Sequence, residues 1–123
     1  MSTLVRLIAV LTLVSGIVQA VAPGWVLSLV HADVTPTTTQ TFAIVGFFMA
    51  LFGGLLWQST AGDFAIGVFW SALQKVGASA AVFIGIHRAV FSGPMAAGVA
   101  SFDGLSAILI FIYYAQLRRA PAP

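Results

Sequence analysis

The run from Phe64 to Ile86, FAIGVFWSALQKVGASAAVFIGI, carries a single charge, Lys75, near its centre. As a helix rising ~1.5 Å per residue it reaches roughly 34 Å, enough to cross a hydrocarbon core of about 30 Å, which sets Lys75 near the midplane of a bilayer. An unpaired charge there is unfavourable by about 2.5 to 3.5 kcal/mol on insertion scales, so a partner or a neutralising ligand is expected. The one other charge inside a hydrophobic run is Asp103, in the last such segment. Lys75 and Asp103 are therefore read as an intramembrane pair.

Composition agrees with a lipid environment. The chain is 60% hydrophobic and 7% charged, with a mean hydropathy of +1.07, whereas a water-soluble domain carries about 25% charged residues. Its 123 residues provide for about four crossings and little else. The expected fold is all-α: one integral membrane domain over residues 1–123, four transmembrane helices running up and down as a bundle. There is no cysteine, which excludes disulfides, thiolate metal ligands and thiol-relay redox chemistry. Of the five basic residues three lie near the chain ends, so no basic patch suited to nucleic acid is present.

The expected crossings are residues 4–22, 42–58, 64–86 and 95–117. The first stops near Pro23-Gly24, with Trp25 at the membrane interface. Its basic start and the tripeptide Val18-Gln19-Ala20 also resemble a cleavable leader, but apolar sequence continues well past that cut, so the segment is expected to be retained. Val26–Val30 reads as a short turn of helix at the membrane surface, and His31–Gln40 as a polar connector in which Asp33 and the threonines around Pro36 favour a loop leading to a helix start, their short side chains able to accept first-turn amides. The link Gln58–Asp63 is short enough to make the second and third crossings antiparallel neighbours, with Asp63 a candidate N-cap. Gly93-Pro94 is expected to break the helix before the last crossing, and the final four residues, APAP, read as a disordered tail.

With four crossings both termini share one side. That side holds Arg6, Arg118 and Arg119, and the other holds Arg88, so the positive-inside bias places both ends in the cytoplasm. Aligning Arg6 with Lys75 also pairs Ala9 with Ala78, Gly16 with Gly85, Ile17 with Ile86, Ala20 with Ala89 and Val21 with Val90, and Gly46 then matches Gly104 after a shorter loop. That pattern suggests a tandem repeat of two helical hairpins.

Lys75 shares its helical face with Gly67, Ser71, Ala78 and Ser79, and Asp103 with Val99, Ala100, Ser106 and Ala107. Small faces pack against other helices, whereas Phe64, Phe69, Trp70, Phe83, Phe111 and Ile112 suit lipid. The first crossing offers a comparable stripe in Thr12, Ser15, Gly16 and Gln19. Two readings of the charge pair stand side by side: a buried salt bridge that fixes which helices touch, or the centre of a polar path for a proton, ion or small solute, lined by Gln19, Ser71, Gln74, Ser79 and Ser106. In the second crossing Gly46, Ala50, Gly53 and Gly54 form a helix-packing stripe. His31 and His87 lie on one side of the membrane in this topology, without the spacing of a metal or haem site. There is no GxSxG, no HExxH, no phosphate-binding glycine loop and no glutamate. No cofactor, metal or catalytic residue is expected.

Small multidrug transporters have this size, but their coupling needs an acid in the first crossing, where this chain has only Gln19. The segment Gly46-Phe-Phe-Met-Ala-Leu-Phe-Gly-Gly-Leu-Leu56 resembles the glycine-spaced second helix of the DoxX-like group of bacterial four-helix membrane proteins, without the charged residue often seen in that helix. The resemblance implies a bacterial inner-membrane protein of accessory type and carries no single activity. The expected function is non-enzymatic, a small integral membrane protein of accessory or structural type packing against itself or a larger membrane complex through the small-residue face of the second crossing; the alternative is a minimal transporter or channel using Lys75 and Asp103.

Overall fold

The computed structural model describes residues 1–119, which form α1 (Ser2–Val21), α2 (Pro23–Leu29), α3 (Pro36–Ala61), α4 (Ala65–His87) and α5 (Gly93–Arg119). The expected APAP tail lies outside the described residues. Helices α1, α3, α4 and α5 are each long and apolar enough to cross a membrane, and the chain is an all-α, multi-pass four-helix bundle.

The bundle is built from two closely packed pairs, α1 with α3 and α4 with α5. Glycines set the first pair. A Cβ added at Gly46 would lie 2.6 Å from the Ala20 amide nitrogen, and one at Gly53 would lie 2.8 Å from the Leu13 Cα, while Gly16 of α1 sits against Gly46 and Ala50. The backbones approach so closely that only small residues fit, which gains dispersion contacts that lipid tails cannot supply. The stripe expected to meet another chain is thus occupied by α1. Gly54 is not part of it: a Cβ there meets nothing within 4 Å.

The two pairs join at the end that holds the termini. Val5, Ile8 and Ala9 of α1, Leu56 of α3, Val68 and Ala72 of α4, and Ile110 and Tyr113 of α5 form one buried cluster there. Arg6 closes the same end by donating to Thr60 Oγ1 at 3.3 Å, its guanidinium 5.9 Å from the Trp57 ring centroid. Phe69 and Phe111, expected on the lipid side, are half-buried and meet across α4 and α5 with ring centroids 6.1 Å apart. Val99, placed on the small face of α5, is exposed.

Helix limits depart from the sequence reading where side chains cap them. Helix α3 starts at Pro36 rather than 42, because Thr35 accepts from the Thr38 amide while Thr38 accepts from the Thr35 amide, a reciprocal capping box with proline at the first helical position. Asp63 is not the N-cap of α4; that position is Phe64. Asp63 instead adopts a left-handed φ of 52° while the Phe64 amide bonds back to the Ser59 carbonyl at 2.8 Å. This is the closing turn of α3, and a short polar side chain tolerates it. Gly93-Pro94 opens α5 rather than lying in a link, with Gly93 at φ +88°, a conformation that favours glycine.

Pairing within each half fits two hairpins, but their registers differ. In the repeat alignment the Gln19–Ala20 backbone facing Gly46 corresponds to Arg88–Ala89, whereas Gly104 faces Ser79. Helix α2 and a loop separate α1 from α3, while only residues 88–92 separate α4 from α5. The shorter connection pins α5 in a different axial position.

Candidate functional site

Away from the terminal cluster the two pairs stand apart, leaving a chamber of about 750 Å³, inside the ~300–1,000 Å³ range usual for small-molecule sites. Its walls are mostly apolar, with Val18 of α1, Phe42 and Met49 of α3, Val82 of α4, and Met95 and Val99 of α5 among them. Helix α2 roofs it through Trp25, Val26 and Leu29. Two contacts tie the first pair and its roof to the link between α4 and α5: the Ser92 amide donates to the Val30 carbonyl at the end of α2 at 2.9 Å, and the Phe42 ring of α3 lies 6.3 Å from that of Phe91, centroid to centroid.

The floor is polar. Lys75 Nζ donates to Asp103 Oδ1 at 2.9 Å, with the two side chains 3% and 7% exposed. Helix α5 begins at Gly93, two residues before the expected start, so Asp103 lies nearly as deep as Lys75 and the lysine stem closes the remaining ~3 Å of axial offset. Nζ also stands 5.2 Å from the Phe102 ring centroid, a cation–π contact that gains strength where water is excluded. Both charges border the chamber, as do Thr12, Ser15, Gln19 and Gln74. Thr12 Oγ1, like Ser59 Oγ at the terminal end, is fully buried without a hydrogen-bond partner among the described residues and turns no accessible surface to the chamber.

The polar path expected from the sequence divides here. Gln19 and Gln74 line the chamber with the ion pair. Gln19 Nε2 donates to the Phe42 carbonyl at 3.1 Å, crossing from α1 to α3, which leaves its amide oxygen free. The serines do not line it. Ser71 Oγ donates to the Gly67 carbonyl of its own helix at 2.8 Å, Ser79 Oγ donates across to the Ala100 carbonyl at 2.9 Å, and Ser106 is buried in the bundle. Of the three hydroxyls, that of Ser79 bridges α4 and α5, and that of Ser71 is turned back on its own helix.

His31 sits at the closing turn of α2, with a left-handed φ of 57°, and its ring packs beside Gly93; His87 is exposed at the end of α4. Among the described residues no group of three or more His, Cys, Asp or Glu could hold a metal ion. Thr12, Phe102 and the chamber glycines Gly77 and Gly98 were not singled out as site residues. The signal for Thr12 lay in the α1 stripe it shares with Gln19. The glycines gave none, since an open position and a packed one look alike in sequence.

Comparison with protein-family models, curated proteins and solved structures finds no match to this chain.

Proposed function

We propose that the chain is a non-catalytic, accessory membrane protein that holds one lipid-soluble molecule between its two helix pairs, with the Lys75–Asp103 pair at the inner end of the site. The observation that carries this reading is the chamber itself, about 750 Å³ and ending on the buried ion pair. A pair needed only to fix helix contacts does best when packed dry on every side. Apolar walls with a few convergent polar groups are the usual character of a small-molecule site. We place both termini in the cytoplasm, on the side of Arg6, Arg118 and Arg119, and take the bacterial inner membrane as the location from the likeness of the α3 segment.

A carrier is the second reading, favoured by the one-sidedness of the cavity. The chamber meets the pair from the α2 end, and the Val5–Ile110 cluster closes the other end. A carrier cycle requires that cluster to part.

Native mass spectrometry of the purified protein tests the binding reading. The expected result is one molecule of a lipid-soluble compound per chain, absent from Gly77→Leu and Gly98→Leu. Both glycines line the chamber, and a Cβ at either meets nothing within 4 Å, so these variants fill the site without a clash at the first atom. Identical adducts on the filled variants would place the molecule elsewhere and overturn the reading.

A further inference from the structure

The chemistry of the chamber floor restricts the head group of its occupant. Resting on the binding reading above, we propose that the chamber selects a neutral, single-chain amphiphile whose head presents a hydroxyl or carbonyl to the Lys75–Asp103 pair, and discriminates against both anionic and cationic heads.

Charge balance supplies the first argument. Lys75 and Asp103 are in direct contact at 2.9 Å and compensate one another, and Thr12, Ser15, Gln19 and Gln74 bring no further charge to the wall. An anionic head must compete with Asp103 for the ammonium and leaves the carboxylate unpaired in an apolar surround. A cationic head must do the converse at Lys75. Either outcome strands a buried charge, which is strongly unfavourable.

Unused hydrogen-bonding capacity supplies the second. The ammonium has three N–H donors, of which the protein uses one, and the Asp103 carboxylate receives no described donor other than Lys75. The floor therefore offers donors and acceptors together, which a hydroxyl matches by accepting from Lys75 while donating to Asp103. With side-chain exposures of 3% and 7%, the pair presents a small patch, sized for one hydroxyl or carbonyl rather than a bulky sugar or phosphate. Above that patch the wall is mostly apolar, from Val18 and Val82 up to Leu29, with Gln19 bonded to the Phe42 carbonyl, which suits an alkyl chain.

The roof points to the route. Because α2 lies across the chamber and the Val30–Ser92 hydrogen bond ties its end to the opposite pair, the proposed route runs between the helix pairs, at the depth of lipid chains. An amphiphile already in the bilayer enters there without crossing water.

Three probes that share one tail test the selection: monoolein, oleic acid and oleylamine, titrated onto the full chain in a non-ionic detergent and read by native mass spectrometry. Monoolein is expected to give a one-to-one adduct at a concentration roughly a hundredfold or more below that needed for either charged probe, the scale of one buried charge left unpaired. That adduct is expected to be lost from Gly77→Leu, with Gly98→Leu as the second filled variant should the first fail to fold. Oleic acid or oleylamine binding as well as monoolein would overturn the head-group inference while leaving the binding site in place. If no probe forms an adduct that the filled variants lose, the binding reading itself falls.

Discussion

At the scale of single residues the ion pair outweighs every other polar contact in the bundle. Removing one partner of a buried pair leaves an uncompensated charge and destabilises by about 3–5 kcal/mol, whereas hydrogen bonds between transmembrane helices average about 0.6 kcal/mol. Lys75→Leu and Asp103→Leu, each alone, are therefore expected to lose most folded protein in detergent, while Ser79→Ala, which removes only the bond to the Ala100 carbonyl, is expected to lower stability by less than about 1 kcal/mol. Thermal unfolding of the purified variants orders them, and equal stability for Lys75→Leu and Ser79→Ala would contradict the assignment. The pair was legible in the sequence because two opposite charges stood alone in apolar runs. Thr12 and Phe102 were not legible as its neighbours, since their roles depend on which faces of α1 and α5 turn toward the chamber.

Helices in this molecule end by a shared device, and one example is strained. The Ala32, Phe64 and Val90 amides bond back to the Leu27, Ser59 and Gly85 carbonyls, and the residues just before them, His31, Asp63 and Ala89, take left-handed φ values of 57°, 52° and 59°. Glycine is the usual residue at that position. Asp63 tolerates the conformation, but Ala89 does not, and the penalty for a Cβ there is about 1–2 kcal/mol. Ala89→Gly is expected to stabilise the protein by about 1 kcal/mol, less than the full penalty because glycine also frees the unfolded chain. A drop in the unfolding midpoint would show that the turn is held differently. The helix pair α1–α3 makes the opposite demand. Gly46→Val must push the backbones apart and is expected to abolish the close pairing, whereas Gly54→Ala enters open space and is expected to be neutral. Folded yield on size-exclusion chromatography distinguishes them. Helix number and approximate limits followed from apolar run lengths, and the packing stripe from its three- and four-residue spacing. The partner of that stripe did not follow, because small faces on α1 and on a second chain are equivalent until the topology is known. The threonines around Pro36 mark a helix start, as the Thr35–Thr38 capping box bears out, but the apolar run that sets the expected crossing begins at 42, a full turn and more inside the helix.

The whole molecule is a pair of hairpins fused at the terminal end, parted around the chamber and tied again at the α2 end by the Val30–Ser92 and Phe42–Phe91 contacts. Orientation is testable because the chain has no native cysteine. A single Thr37→Cys variant is expected to react with an impermeant maleimide in intact cells, and Gly62→Cys only after permeabilisation; the reverse pattern would invert the topology. The chamber itself was hidden from the sequence, since it lies where the two pairs stand apart, and run lengths carry no information on that separation. What the sequence did raise was a choice between an ion pair that ties helices and an ion pair that serves a ligand. The double variant Lys75→Leu/Asp103→Leu separates these roles most directly, with monoolein binding and thermal unfolding measured on the same preparation. Replacing both charges together removes the unpaired-charge penalty, so the double variant is expected to fold about as stably as the native chain while losing its one-to-one adduct. A double variant that folds and still binds monoolein as tightly as the native protein would contradict the account, and the pair would then be a fastening between α4 and α5 alone.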